Sequence, residues 1–355
     1  MAARTILQIV GSPQDDFFRE LSELYARGSV EALGGEGYDF RFLHASPTPD
    51  GRGEWRMPGD LSPASIRTAR AMDLGTAISH VQAMPVACAL PQMFCRAGMT
   101  DCRALLDLIG LPFIGNTALA MGIAADKAMA KALVAQAGVS VPRGVLVREG
   151  DPLPDLSAPV VVKPNASDNS AGLTLVEPGD DLAAAIAHAQ AGGHDALVEE
   201  FVRLGREMRA GVLEQADGSL TVLPLEEYSV DPQTRPVRRA QDKLARNDDG
   251  ELQLMAKTDS ESWIVPDGDP TFDAIANAAR TAHKALNMRH YSLFDFRIDP
   301  RGKPWFLEAS PYCSFAPGSV LVTQARAAGI DLPQLFARLL DVAVTPSNSA
   351  TERAA

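Results

Sequence analysis

The chain is short of positive charge, of paired cysteines and histidines, and of long apolar runs. Its 33 lysines and arginines against 45 aspartates and glutamates leave a formal charge of -12. That balance argues against a nucleic-acid backbone or an anionic membrane surface as the main partner, since both need a basic face. An anionic ligand must find its cations locally. The four cysteines, Cys88, Cys95, Cys102 and Cys313, show no CxxC spacing, and the histidines form no HExxH or paired zinc signature. Neither a disulfide framework nor a zinc site is indicated, and the cysteines read as buried thiols. The run from Ile6 to Val10 is too short for a secretory segment and no stretch approaches a membrane span, so the expectation is a cytoplasmic protein. There is no G-x-x-x-x-G-K-[ST] loop and no G-x-G-x-x-G after a strand, which weakens the P-loop and Rossmann readings.

What is present is a chain of 355 residues, 46% of them hydrophobic, enough for a large single fold or a few compact lobes. "TILQIVG", a helix over "DDFFRELSELYARGSVEALGG", "MPVACALPQMF" and a helix at "DCRALLDLIG" alternate as in a parallel sheet up to about Asn116. A helix over "AADKAMAKALVAQAG" follows, then "PVVVKP", a polar loop, "GLTLVE", a helix "DLAAAIAHAQAGG" and "ALVEEFV". Beyond these come β runs "MRAGVL" and "LTVLPLEEYSV", a charged, turn-rich segment from Asp231 to Asp249, a helix near "TFDAIANAARTAHKAL", a hairpin and a last amphipathic helix "LPQLFARLLDVAV". The expected division is an N-terminal α/β domain over 1–117, α+β lobes over 118–203 and 204–345, and a disordered polar tail over 346–355.

The hairpin, "DFRIDPRGKPWFLEAS", carries two acids. A two-residue turn at Arg301-Gly302 sets Asp295 opposite Glu308, Leu293 opposite Ser310 and Arg297 opposite Phe306. The other face then pairs Phe294 with Ala309, Phe296 with Leu307 and Ile298 with Trp305, and must be the core side. Directly opposed carboxylates have Cβ atoms about 5 Å apart and repel by roughly 3 kcal/mol at an effective dielectric near 20. Something positive belongs between them: either Arg297 on the same face, or a divalent metal such as Mg²⁺, which prefers hard oxygen ligands.

Lys163 ends an apolar strand and precedes a small polar loop closing at Gly172, where backbone and side-chain groups could cradle phosphate oxygens; the alternative is a surface lysine and a turn. Lys127 has Lys131 four residues on, a spacing that also suits a solvated helix face. Lys243, in "RRAQDKLAR", lies in a basic patch that reads equally as an exposed loop.

Taken in order, "ADKAMAKALVAQAGVSVP", "VVVKPNASDNSAG", "LVEEFVRLGREMRAGVL", "DKL" and "DFRIDPRGKPWFLEAS" resemble the ATP-grasp ligases, and among them the D-alanine–D-alanine ligases. The resemblance implies an α/β ATP-grasp fold with an N-terminal parallel-sheet domain, and ATP with one or two Mg²⁺ ions. By it, Lys127, Lys163 and Lys243 match lysines on ATP phosphates and Ser170 a loop serine over the γ-phosphate. Glu199, Glu200 and Val202 match the hinge that holds adenine, Glu207 an acid on ribose, and Asp295 and Glu308 the main Mg²⁺ ligands. Three departures are visible. Ser310 stands where the third metal ligand is usually Asn, Leu293 stands where an arginine usually helps the tetrahedral intermediate, and the N-terminal G-G-x-S-x-E stretch is absent.

A narrower similarity covers nearly the whole chain, through "LPQMFCRAGMTDCRALLDLIGLPFIGN", "LPLEEYSVDP", "RHYSLFDFRIDP" and "PWFLEASPYCSFAP". It is to the mycosporine-glycine amine ligases of mycosporine-like amino acid biosynthesis. This resemblance implies two small-molecule substrates, mycosporine-glycine and an amino acid such as Ser, Thr or Gly. It implies no nucleic-acid or membrane partner and admits a homodimer. Gln92, Met93 and Arg96 then occupy the place of a ring-substrate loop, Leu293 packs against the ring, and Ser314 and Ser319 hold the incoming amino acid. The rivals are a dipeptide ligase and an ATP-binding scaffold.

Overall fold

The computed structural model describes residues 3–35, 37–155, 157, 159–166, 172–231, 237, 244–246, 252–254 and 261–345. The expected disordered tail and most of the charged segment lie outside them. No helix of the described residues is long and apolar enough to cross a membrane.

The first lobe holds β1 (Arg4–Gly11), α1 (Asp16–Leu33), β2 (Tyr38–Ser46), β3 (Glu54–Arg56), α2 (Pro63–Thr68), α3 (Leu74–Ala83), β4 (Cys88–Pro91), α4 (Arg96–Met99) and α5 (Asp101–Leu108). Asp15 caps α1 by accepting from the Phe18 N–H, and Gly35, at φ 88, turns the chain out of it. The sheet order is β3-β2-β1-β4, with β2 and β4 parallel to β1. The expected parallel sheet gains one exception, since β3 runs antiparallel to β2.

The segment expected as one helix from Ala124 is two: α6 (Ala118–Ala125) and α7 (Lys127–Gln136). Asp126 is extended and accepts from the Met129 N–H, so its side chain ends one helix and starts the next. β5 (Gly144–Val147), β6 (Val160–Pro164), β7 (Thr174–Val176), α8 (Leu182–Gln190) and β8 (Ala196–Glu200) make the central lobe, a sheet of order β5-β8-β6-β7. Val160, Val162, Ala196 and Val198 bury one face with Ala185, Ile186 and Ala189 of α8. By alternation Lys163 and Glu199 fall on the other.

The third lobe contains β9 (Arg206–Glu214), β10 (Leu220–Val222), β11 (Glu226–Tyr228), β12 (Leu244–Arg246), β13 (Leu252–Leu254), β14 (Ser262–Ile264), α9 (Phe272–Ala285), β15 (Tyr291–Ile298), β16 (Pro304–Ala309), α10 (Val320–Ala327) and α11 (Leu332–Val344). The run "LTVLPLEEYSV" is broken between β10 and β11 around Pro224, which has no N–H to give a ladder. The main sheet runs β14-β11-β9-β15-β16. Its inner face, Met208, Ala210, Val212, Phe294, Phe296, Ile298 and Phe306, packs on α9 residues such as Ile275 and Ala279.

The first and third lobes share a core in which Ile6, Leu90 and Ile114 meet Tyr291, Phe315, Leu335 and Phe336. Asn116 pins the site from there. Its Nδ2 donates to the carbonyls of Tyr291 at 2.9 Å and Pro311 at 2.8 Å, while its Oδ1 accepts from the Arg289 N–H at 2.8 Å. Beside it the Gly115 N–H donates to His290 Nδ1 at 2.9 Å, a bond that needs a neutral ring; burial pushes the His290 pKa down to about 3. "FIGN" thus clamps both ends of the acid-bearing hairpin.

Candidate active site

The hairpin's turn is longer than two residues. Asp299 accepts from the Arg301 and Lys303 N–H groups, its own N–H donates to the Lys303 carbonyl, and Gly302 sits at φ 82. The register past the turn is therefore shifted by one: Phe296 faces Phe306, Arg297 faces Trp305 and Ile298 faces Pro304. A bulge between Asp295 and Phe296 restores it, so that Asp295 faces Glu308 and Phe294 faces Ala309 as expected, and the Ser310 N–H reaches the Leu293 carbonyl. Phe306, and not Leu307 or Trp305, enters the core.

The cation beside the acids is not Arg297. Arg297 donates to Glu207 at 3.1 Å and to the Val202 carbonyl at 3.2 Å, and lies over the Phe201 ring. It joins the expected hinge to the expected ribose acid. Asp295 is held instead by Arg209 of β9, whose Nε and Nη2 donate to its two carboxylate oxygens. Arg209 and Asp295 are register partners, and Arg209 was missed from the sequence. The signal was there: an arginine inside the apolar run "MRAGVL" must be paired to be buried.

Opposite the hairpin, Lys163 of β6 and Lys131 of α7 both donate to Glu199 of β8, Lys163 at 2.8 Å. All three are buried, which corrects the surface-lysine alternative for Lys163 and the solvated-face reading of the 127/131 pair; Lys127 is buried too. Burial pushes Lys131 down to about 7, with Lys163 adding and Glu199 opposing. Burial also acts against Glu199, yet the two ammonium groups outweigh it and hold its pKa below the ordinary value. Glu308, half-buried, is close enough to favour the charged forms of both lysines. The structure thus brings Lys163, Lys131, Glu199, Glu308 and Asp295 together.

Of the hinge residues, Glu200 is exposed and 3.9 Å from Arg143, so its carboxylate points away from the lysines. Ser170 and Lys243 lie outside the described residues. Among the described residues no cluster of three or more His, Cys, Asp or Glu forms a ready-made metal cage. Asp295, Glu308 and Ser310 nevertheless give hard oxygens at adjacent register positions of one hairpin, a donor set that suits Mg²⁺ completed by phosphates and water. The residues fit the ion on one condition, that Arg209 yields an oxygen of Asp295.

The two loops singled out for substrates meet. Gln92 is buried and its Nε2 donates to the Ser314 carbonyl at 2.8 Å. Phe94 packs edge-on against Tyr312 at 5.4 Å and Tyr25 at 5.3 Å between ring centroids. Met93 is a correction: it is 2% exposed and packs in the first lobe's core. Arg96 is exposed at the start of α4. Ser314 is buried with its Oγ accepting from the Ala316 N–H, while Ser319 stands at the N-terminus of α10, where unpaired N–H groups favour a carboxylate. Leu293 is buried on the same face as Asp295.

Comparison with known proteins gives a consistent result. The family model for the D-ala D-ala ligase C-terminus matches residues 153–341. A D-alanine–D-alanine ligase of Desulfotalea psychrophila is 31% identical over 252 residues, 69% of this chain and 74% of the relative. An uncharacterised protein of Sinorhizobium fredii is 30% identical over 250 residues, 69% of this chain and 70% of its own length. Among solved structures, the VanG D-Ala:D-Ser ligase of Enterococcus faecalis superposes with a TM-score of 0.72 at 20% identity, covering 96% of this chain and 99% of that one. The D-alanine–D-alanine ligase of Coxiella burnetii gives 0.75 at 16% identity, covering 99% and 97%. That of Bacillus anthracis, complexed with ATP, gives 0.71 at 17%, covering 96% and 98%.

Proposed function

The chain belongs to the D-alanine–D-alanine ligase family, and from that premise we propose that it is an ATP- and Mg²⁺-dependent ligase that joins the amine of an amino acid to the ring of mycosporine-glycine. The observation that carries the ring substrate is the aromatic cluster where the two substrate loops meet, in which buried Phe94 lies edge-on to the half-buried rings of Tyr25 and Tyr312. A planar conjugated ring is matched by aromatic edges and faces, whereas the methyl group of an alanine has no need of them. Leu293 adds an apolar surface beside Asp295. The second reading, a dipeptide ligase, is favoured by the names of the relatives above, and is opposed by Ser310 and Leu293.

The ring oxygen of mycosporine-glycine, conjugated to its amine, attacks the γ-phosphorus of ATP. The bond from that phosphorus to the bridging oxygen breaks and ADP leaves. The amino acid nitrogen then attacks the ring carbon, the carbon–oxygen bond to the new phosphate breaks, phosphate leaves, and loss of the nitrogen's protons completes an imine. Asp295, Glu308 and Ser310 would hold Mg²⁺, which supplies charge neutralisation at the phosphates. Lys163 and Lys131 meet the transferring oxygens from the side opposite the metal, with Glu199 fixing both ammonium groups. Addition to a conjugated ring spreads negative charge through the π-system, so the site has no localised oxyanion to receive at Leu293.

The test is phosphate release from ATP and Mg²⁺ with mycosporine-glycine, with and without serine, threonine, glycine or D-alanine, and the product masses. Amine-dependent release with a product one water lighter than its two substrates is expected. Release with D-alanine alone would establish the dipeptide reading, and no release with any of them would overturn both.

A further inference from the structure

A row of charge crosses the C-terminal sheet. The strand order β11-β9-β15-β16 and its registers align Glu226 with Arg209, Arg209 with Asp295, and Asp295 with Glu308. The signs run minus, plus, minus, minus. Arg209 is buried, engages both oxygens of Asp295, and has the Tyr228 ring 5.2 Å from its Cζ. Tyr228 in turn donates its hydroxyl to Glu226 at 2.6 Å, and Glu226 is itself buried. The Arg209 backbone is fixed from α10, where Gln324 Nε2 donates to its carbonyl at 2.7 Å.

A carboxylate gripped at both oxygens by a guanidinium is a poor ligand for Mg²⁺, which demands well-placed oxygens and is repelled by a neighbouring cation. Arg209 nonetheless has a second acid within its own row. We propose that Arg209 is an exchangeable counter-ion: it and a divalent cation compete for Asp295, and when the cation takes that carboxylate Arg209 keeps its charge compensated by Glu226, one strand over. The consequence is selectivity for the loaded nucleotide. Bare Mg²⁺ meets the full opposition of Arg209, whereas Mg²⁺ arriving with ATP brings phosphate charge that offsets it. The inference rests on the ligase reading in taking Asp295 as a metal ligand.

The experiment is calorimetric. Binding of a non-hydrolysable ATP analogue is measured across a Mg²⁺ series, and the melting temperature with Mg²⁺ alone, for the wild type, Arg209→Met and the charge-balanced Arg209→Met/Glu226→Gln. The double variant removes one buried charge of each sign, so it guards against a single variant that fails to fold. The half-saturating Mg²⁺ concentration is expected to fall about tenfold in the variants, the scale on which one nearby charge alters an ionisation. Mg²⁺ alone should raise their melting temperature and leave the wild type's unchanged. An unchanged or higher Mg²⁺ requirement in the balanced variant would overturn the proposal and make Arg209 a fixed support. A wild type that binds no Mg²⁺-nucleotide at all would instead overturn the ligase reading, and the exchange with it.

Discussion

At the central sheet two lysines, Lys163 of β6 and Lys131 of α7, share the buried acid Glu199, whereas on the C-terminal sheet two register-paired acids, Asp295 and Glu308, have Arg209 on the first of them. Each face alone is unbalanced, one towards positive and the other towards negative. A phosphate chain carrying a divalent cation has the matching asymmetry, anionic oxygens on one side and metal on the other. The difference between the faces explains how a protein of net charge -12 presents cations to an anion. It also explains where Lys163 sits: next to the last position of β6 and opposite Leu197, it reaches Glu199 two residues along the neighbouring strand.

The strongest way to break the comparison is to remove a cation from the positive face. Lys163→Met should lower kcat/KM for ATP by about 10³-fold, the upper range for losing one charge-stabilising donor, while Glu199 keeps Lys131 and the fold survives. Steady-state kinetics and a circular dichroism melt separate the two. A variant with near-normal turnover would show that the lysine serves Glu199 and not phosphate. Removing the shared acid should act on stability instead. Glu199→Gln takes from two buried ammonium groups the acid that both contact, and denaturant unfolding should show a loss of about 3 kcal/mol, the low end for breaking a buried pair because Glu308 still favours their charge and Lys131 gives up its proton easily. A loss below about 1 kcal/mol would mean that water reaches the pair.

The negative face is probed by adding charge. Leu293→Arg places a second cation two residues before Asp295 on its face, where it competes for the carboxylate and overfills a buried site at a cost of about 1–3 kcal/mol. Turnover should drop by about tenfold, which is 1.4 kcal/mol on the barrier. An unchanged rate would remove the argument that an apolar wall suits the substrate here.

The two faces also differ in how far they could be read from the sequence. The pairing of Asp295 with Glu308 was legible because period-two alternation puts phenylalanines on one side and acids on the other, and it survived a wrong turn length because the bulge cancelled the slip. Phe306 was misplaced for the same reason: a one-residue bulge is invisible to alternation. The role of Lys131 and the partner of Arg209 were hidden because their contacts run across lobes and strands, over 68 and 86 residues of chain. The i,i+4 spacing of lysines describes a helix face and says nothing of what that face meets. Asp126 hid a helix break in an alanine-rich run whose propensity favours continuity. Met93 looked like a substrate contact from its loop and went into the core, where its side chain lies against Gly98 with no room for a further Cβ.

The smallest effect sharpens the positive face by pH. Burial and Lys163 together bring Lys131 to about 7 from 10.5, against the pull of Glu199. Between those two values the unfolded chain holds a proton that the folded chain has released, so this group's contribution to stability rises with pH across the window. Its contribution to anion binding moves the other way. As pH climbs through about 7 the free enzyme loses a cation from the phosphate face, and kcat/KM for ATP should decline, by up to about tenfold per pH unit at the steepest. Lys131→Arg carries its charge at every accessible pH and should hold the profile level between about pH 7 and pH 9, at some loss of absolute rate because a planar guanidinium does not reproduce the ammonium's fit to Glu199. Two coincident profiles would show that Glu199 keeps Lys131 protonated throughout, and the positive face would then be a permanent one, with both cations in place before the nucleotide arrives.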